Sequence, residues 1–167
     1  DDNFASIVSG IEEGRFTYDN IRKCIYFLLT VGASQIVLFG SVLATGLPIP
    51  LTPVQLLWLN LVTSGIQAMA LAFEAGEPFA MKRPPRSPKE GIFNSLMIQE
   101  ITLSALAIGL PCYFLWSYMN MNNYPPEAAR NIMLLLLVLF TNFHVFNCRS
   151  EVQSFLRIPL TNNALLI

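Results

Sequence analysis

One long stretch without Asp, Glu, Lys or Arg decides the fold: CIYFLLTVGASQIVLFGSVLATGLPIPLTPVQLLWLNLVTSGIQAMALAF, residues 24–73. A transmembrane helix needs about 20 predominantly apolar residues, so this stretch is long enough for two. Pro48, Pro50 and Pro53 prevent a single continuous helix. The stretch therefore predicts two membrane spans, over residues 24–45 and 54–73.

The second half of the chain contains two more apolar stretches, over residues 93–118 and 131–148. Between them lies a polar turn, NMNNYPPE (120–127), whose paired prolines interrupt a helix. Of the whole chain, 53% is hydrophobic and 13% is charged, against roughly 25% charged residues in soluble domains. These patterns predict an all-α fold, a polytopic transmembrane helical bundle, which we expect to be a fragment of a longer chain.

Charge and cysteine content exclude several other classes. Ten Lys and Arg against eleven Asp and Glu give a formal charge of -1, without the basic excess that binds nucleic acid. Cys24, Cys112 and Cys148 lack the spacing of a disulfide framework or a metal site. The lipid bilayer is therefore the expected partner, and no metal site is predicted from the cysteines.

The distribution of cations predicts the orientation, because cytoplasmic loops collect Lys and Arg. Basic residues precede the first span, lie between the second and third, and follow the fourth, whereas the opposite side receives only Arg130. Both ends of the chain and the loop 75–90 should therefore be cytoplasmic.

The first residues predict a helix that leads into the membrane. Phe4, Ile7 and Ile11 share one face of an amphipathic helix over residues 3–15, which Asp2 or Asn3 can cap. The helical pattern resumes at residue 18 and continues into the first span. Two interpretations stay open, a cytoplasmic stalk on which cytoplasmic domains act and a solvated lead-in helix.

Three strings identify a family by resemblance: DNFASIV with EEGR (2–8 and 12–15), PVQLLWLNLVT (53–63) and RPPRSPKE (83–90). In this order and spacing they resemble the carboxyl-terminal membrane half of P-type (E1-E2) cation-transporting ATPases, close to the calcium-pump subgroup. NFHVFNCRSE (142–151) is similar to the end of the eighth helix in a prokaryotic subgroup. The resemblance implies the fifth to eighth membrane helices of such a pump, in a prokaryotic plasma membrane.

The resemblance also implies a domain organisation. The expected parts are 1–23, the exit from a phosphorylation domain and a stalk; 24–73, helices five and six; 74–92, a Pro-rich basic cytoplasmic loop; 93–148, helices seven and eight; and 149–167, a cytoplasmic loop and the start of helix nine. ATP and Mg²⁺, with phosphorylation, nucleotide and actuator domains, are implied for the upstream part of the parent protein. This chain itself contains no residues that match the family's catalytic motifs and implies no cofactor of its own.

Polar residues inside the spans are the candidate functional groups, because a polar side chain in hydrocarbon is costly unless it pairs or faces a cavity. Asn60, Thr63, Ser64 and Gln67 follow the 0, 3, 4, 7 spacing of one helical face. Gly65 offers a place where this helix can loosen and present backbone carbonyls. The alternative is ordinary hydrogen bonding between helices.

By resemblance, the cation-binding residues are Gln35, Asn60, Thr63, Ser64 and Thr141. Calcium pumps have carboxylates where this chain has Gln35, Ser64 and Thr141, and divalent cations rely on carboxylate oxygens. Two alternatives follow: transport of a weakly hydrated monovalent cation, or a non-transporting scaffold or regulatory fragment that has lost ion coordination. Glu100 is interpreted either as an acid that snorkels to the membrane interface or as a proton or ion relay. His144 is interpreted either as a hydrogen-bonded neutral ring or as a ligand.

The predicted topology can be tested by cysteine labelling in intact cells, on a background without the three native cysteines. Arg86→Cys should be inaccessible to a membrane-impermeant reagent and Asn122→Cys should be labelled, because the basic loops are cytoplasmic. Labelling of position 86 but not of position 122 would show the opposite orientation.

Overall fold

A computed structural model describes residues 4–76, 80–82, 84 and 91–149, and its regular elements are all helical. They are α1 (Phe4–Ala44), α2 (Pro53–Trp58), the π-helical segment π1 (Leu59–Ser64), α3 (Gly65–Ala72), a 3₁₀ helix (Ala80–Lys82), α4 (Ser95–Met121) and α5 (Pro126–Asn147). The segments α2, π1 and α3 follow one another without a break. The predicted all-α fold is confirmed for the described residues.

Four helical stretches among the described residues are long and apolar enough to cross a membrane: Ser6–Ala44, Pro53–Ala72, Ser95–Met121 and Pro126–Asn147. These stretches coincide with the four predicted spans. The fourth begins at Pro126 rather than at residue 131, because proline has no N–H to lose in the first turn and its fixed φ suits that position.

Helix α1 is one helix of 41 residues, so the predicted amphipathic helix and the first span are continuous. At 1.5 Å per residue its length is about 60 Å, twice the thickness of a hydrocarbon core of about 30 Å. A span of this thickness leaves about half of α1 outside the hydrocarbon core, which agrees with both the stalk and the solvated lead-in helix. The predicted cap at residue 2 or 3, most of the loop 74–92 and the predicted start of a ninth helix within 150–167 lie outside the described residues.

The turn after α1 is closed by backbone hydrogen bonds around a left-handed glycine. Gly46 has φ 69°, a conformation that glycine adopts without steric cost. The N–H of Leu47 donates to the carbonyl of Val42 (3.1 Å), and that of Gly46 donates to Leu43 (3.2 Å). This is a Schellman motif, and it satisfies carbonyls that the end of the helix leaves without partners.

The turn after α4 repeats this chemistry. Asn123 takes the left-handed position with φ 55°, and the N–H of Tyr124 donates to the carbonyl of Met119 at 3.0 Å. The next helix in each case begins with a proline, Pro53 after the first turn and Pro126 after the second. Both tight turns thus end one helix with a Schellman motif and start the next with proline.

The core lies between α1, α4 and α5. Helix α1 packs along α4 and α3, and α5 packs against α4, π1 and α3. The larger cluster of buried side chains consists of Leu38, Val42, Leu51, Leu59, Ile108, Cys112, Trp116, Met119, Ala129, Met133 and Leu137. Trp116 also donates its indole N–H to the carbonyl of Pro48 at 2.8 Å, which fixes the turn after α1 against α4.

Gly109 marks the closest approach of α4 to α1. A Cβ at this position would lie 2.8 Å from the Ser34 carbonyl oxygen and 2.8 Å from the Val37 Cβ. Real Cβ atoms do not tolerate such distances, and a backbone oxygen cannot rotate away. Small residues at helix interfaces in membranes allow backbones to approach in this way.

Gly109→Ala should therefore destabilise the protein by about 1–3 kcal/mol, the usual size of an overpacking effect. Gly40→Ala on α1 is the matched control, because nothing lies within 4 Å of a Cβ there, and it should leave stability unchanged or raise it by about 0.5–1 kcal/mol. Thermal unfolding of the full-length protein in detergent measures both. Equal stability of the two variants would contradict the close approach.

Candidate functional site

The second span contains a π-helical segment at its polar residues. In π1 the hydrogen bonds reach one residue further than in an α-helix, and the N–H of Gly65 bonds the carbonyl of Asn60. Ser64 Oγ donates to the carbonyl of Leu59 at 3.3 Å, also five residues back. Wide turns of this kind occur frequently at functional sites. The segment ends directly before Gly65, the residue at which the sequence predicts that the helix can loosen.

Gln35 on α1 and Asn60 on π1 form a reciprocal amide pair. Gln35 Nε2 donates to Asn60 Oδ1 at 2.9 Å, and Asn60 Nδ2 donates to Gln35 Oε1 at 3.4 Å. An amide oxygen has two lone pairs, so each oxygen keeps one that this pair does not use. Two predicted site residues from separate spans are thus brought together with oxygens that can accept a further ligand.

A second amide pair joins α3 to α5. Gln67 Nε2 donates to Asn142 Oδ1, and Gln67 is 8% exposed. The other end of this amide, Gln67 Oε1, is buried and has no hydrogen-bond partner among the described residues. A buried amide oxygen without a partner is costly, which makes Gln67 Oε1 the atom of this region best placed to bind a ligand.

The remaining predicted site residues lie on the same helices. Ser64 and Thr141 are buried, and Thr63 is half-buried. Thr141 Oγ1 donates to the carbonyl of Val138 at 2.9 Å, within its own helix. The hydroxyl protons of Ser64 and Thr141 are therefore used locally, and their oxygen lone pairs remain available.

The polar side chains of the second span thus contact two different neighbouring helices. Asn60 contacts α1 and Gln67 contacts α5, although a regular α-helix would place both on one face. A third Gln and Asn pair, Gln55 Nε2 to Asn131 Oδ1 at 3.2 Å, joins α2 to α5. Helical spacing in the sequence indicates Gln67 but neither Asn131 nor Asn142, because these two are identified only by hydrogen bonds to partners 76 and 75 residues away.

His144 lies in an aromatic surrounding. Its ring centroid is 5.5 Å from that of Tyr26 and 6.0 Å from that of Phe27, and its Nε2 is 3.4 Å from Cys148 Sγ. Among the described residues, no three His, Cys, Asp or Glu side chains are grouped so that they could hold a metal ion. The arrangement favours a packed histidine over a metal ligand.

At one end of the bundle a buried ion pair joins α3 to α5. The Arg149 guanidinium donates to Glu74 Oε1 through Nε at 2.9 Å and through an Nη at 2.7 Å. The two side chains are 1% and 5% exposed, respectively. Asn20 of α1 donates to the carbonyls of Ala72 (3.2 Å) and Glu74 (2.8 Å), which also ties α1 to the end of α3.

Comparison with known proteins gives consistent matches. A family model described as "Cation transporting ATPase, C-terminus" matches residues 48–167. A calcium-transporting ATPase of Bacillus subtilis is 44% identical over 165 residues, which are 97% of this chain and 18% of that protein. Probable cation-transporting ATPase F of Mycobacterium tuberculosis is 30% identical over 167 residues, 100% of this chain and 18% of that protein.

A mammalian protein matches over the same length. The calcium-transporting ATPase type 2C member 2 of Rattus norvegicus is 30% identical over 168 residues, which cover 100% of this chain. The chain spans 18% of the length of each of these three relatives.

The ion pair between Glu74 and Arg149 should be strongly stabilising against single substitutions. Glu74→Gln leaves a buried guanidinium without its carboxylate and should lower the free energy of unfolding by about 3–5 kcal/mol. Glu74→Met with Arg149→Met should recover most of this loss, because two apolar side chains need no partner. Thermal unfolding of the full-length protein measures the effect, with exposed Glu127→Gln as the control.

A Glu74→Gln variant as stable as Glu127→Gln would show that the ion pair does not hold α3 to α5. A double variant, Glu74→Met with Arg149→Met, that is less stable than Glu74→Gln would show that removing both charges does not recover the loss.

Proposed function

This chain belongs to the cation-transporting ATPase family, in the carboxyl-terminal part that the family model describes, and we propose that its helices form part of the cation pathway of an ATP-driven pump. The family and the four apolar helices support a membrane-transport region. ATP hydrolysis, with Mg²⁺ and with the upstream phosphorylation, nucleotide and actuator domains, belongs in this proposal to the rest of the parent protein.

The observation that carries the proposal is the buried Gln67 Oε1, which has no hydrogen-bond partner among the described residues. It lies three residues along the helix from Ser64, and its amide contacts Asn142, the neighbour of Thr141 in sequence. A cation in this region would supply the missing partner of the oxygen. We therefore add Gln67 to the predicted set of Gln35, Asn60, Thr63, Ser64 and Thr141.

The proposed pathway uses neutral oxygens. Its side chains are amides and hydroxyls, and the carbonyls of π1 lie in the same helix. A dehydrated Ca²⁺ takes six to eight oxygen ligands, which usually include carboxylates. A neutral set suits a weakly hydrated monovalent cation better, because less hydration energy has to be replaced.

Two of the relatives carry the name calcium-transporting ATPase. Because residues 24–148 contribute only neutral oxygens to the proposed pathway, transport of calcium by the parent protein would require carboxylates from helices outside this chain. The proposed lack of carboxylates concerns only the part of the pathway that residues 24–148 contribute.

The loop 74–92 has a proposed coupling function. Its prolines and basic residues suit an extended, stiff segment that contacts the upstream cytoplasmic domains. Its first residue, Glu74, is fixed to Arg149 by the buried ion pair. A force on this loop would therefore reach the ends of α3 and α5 together.

A second candidate is a scaffold that does not transport. The observation that favours it is the pairing of Gln35 with Asn60, since each amide already has a hydrogen-bond partner. In a scaffold these amides only hold helices together. Response of the parent protein to cations separates the two functions.

Formation of the phosphorylated intermediate in the full-length parent protein, measured against calcium, sodium and potassium, tests the proposal. We expect activation by a monovalent cation and weak or absent activation by calcium. Gln67→Leu should raise the half-activating concentration about tenfold, the effect of roughly one lost ligand. Gln99→Leu, on the exposed face of α4, is the matched control and should change nothing.

Carboxylates should change the selectivity in the predicted direction. Gln35→Glu with Ser64→Asp and Thr141→Glu should increase the affinity for calcium by at least about tenfold, because charged oxygens offset dehydration. Tight calcium activation of the unsubstituted parent would contradict the neutral pathway. Absence of any cation response would favour the scaffold.

A further inference from the structure

A cavity of about 190 Å³, lined by both polar and apolar side chains, lies where α1, the beginning of α4 and the end of α5 meet. Lys23, Asn94, Glu100 and Asn147 are among the side chains that line it. None of these residues belongs to the proposed cation pathway. The cavity is therefore separate from the proposed cation pathway.

The depth of the cavity follows from helix geometry. From Lys23 to Ala44, α1 rises about 32 Å, close to the thickness of a hydrocarbon core of about 30 Å. Asn94 is the N-cap of α4, and Asn147 is the last residue of α5. All three helices thus reach the cavity at one boundary between hydrocarbon and headgroups.

The cavity presents one positive and one negative side chain. Lys23 is 3% exposed, and its ammonium donates to Asn20 Oδ1 at 3.3 Å. An ammonium has three donors, so this bond leaves two. In the part of the chain that the structure describes, Lys23 and Glu100 form no ion pair with each other. A buried cation and an exposed carboxylate that share a cavity without neutralising each other match a ligand with both charges.

The size of the cavity and its surroundings favour a lipid. Pockets for drug-sized ligands are typically about 300–1,000 Å³, whereas this volume suits only a small polar group. Leu96 lines the cavity, and Leu103 and Leu110 continue from it along the exposed face of α4 at intervals of seven residues. This apolar stripe leads from the headgroup level into the hydrocarbon region, where an acyl chain would lie.

We propose that the cavity binds the headgroup of a phospholipid that carries a primary ammonium group. Lys23 binds the phosphate, and Glu100 accepts hydrogen bonds from the ammonium. A quaternary ammonium has no N–H to donate, so such a lipid binds less tightly. An anionic headgroup without an ammonium uses Lys23 alone.

Lipid titration of the delipidated full-length protein in detergent tests the proposal, with native mass spectrometry to give dissociation constants. Short-chain phosphatidylethanolamine, phosphatidylcholine and phosphatidylglycerol are the probes. Phosphatidylethanolamine should bind most tightly. Glu100→Gln should weaken its binding about tenfold, the effect of roughly one charge-assisted contact, and should not weaken binding of phosphatidylglycerol.

Two further measurements distinguish this lipid site from nonspecific lipid adsorption and from a site for a free headgroup. Lys23→Met should weaken all three lipids, and Glu127→Gln, an exposed acid at the other end of α5, should weaken none. Soluble phosphoethanolamine should not displace the lipid at equal concentration, because it lacks the acyl chains. Phosphatidylethanolamine binding that is unchanged in Glu100→Gln would overturn the proposal. Equally effective displacement by soluble phosphoethanolamine would overturn the assignment to a lipid.

Discussion

The structure depends on one constraint: within hydrocarbon every backbone N–H and C=O must be hydrogen-bonded inside the protein. The four spans meet it as helices, and the two tight turns meet it with Schellman motifs around Gly46 and Asn123. The same constraint explains the form of π1. The backbone of π1 stays hydrogen-bonded within the helix, in a wider turn, so its polar side chains are not needed to satisfy backbone groups. An irregular helical segment at membrane depth is thus formed without loss of backbone bonds.

Sequence patterns predict the features that this constraint controls. Apolar stretches of sufficient length and the prolines between them indicate the four spans, since both signals are local. The start of α5 lies five residues before its predicted position, because the pattern of apolar residues does not include a polar first turn that begins with Pro126. Local sequence patterns are therefore sufficient to predict the fold and nearly sufficient to predict where each helix begins and ends.

The pairing of side chains between helices is beyond sequence reasoning. Gln67 with Asn142 and Glu74 with Arg149 are each separated by 75 residues. Such pairs depend on how far each helix is rotated about its axis, and this rotation follows from packing, such as the contact of α4 with α1 at Gly109. Of the residues that the resemblance indicates for the candidate site, Gln35 and Asn60 are in contact. The wider turn of π1 directs Gln67 to a different helix. The sequence indicates only that the helix can loosen near Gly65, not that it forms a π-helical segment.

The energies of these pairs differ in a way that fits the proposed cation pathway, which must change shape during transport. Hydrogen bonds between membrane helices contribute on average about 0.6 kcal/mol, so the amide pairs of π1 and α3 can open and close at small cost. Breaking a buried ion pair costs about 3–5 kcal/mol, so the ends of α3 and α5 move together through Glu74 and Arg149. A strong ion pair at the end of the helices, together with weak amide hydrogen bonds at their centre, would transmit a movement of the loop 74–92 to the amide oxygens. A pathway lined by carboxylates would be harder to open once its cation had left, because each charge would then need a proton or another partner. Neutral oxygens avoid this requirement, which is a physical reason for such a pathway to use amides and hydroxyls.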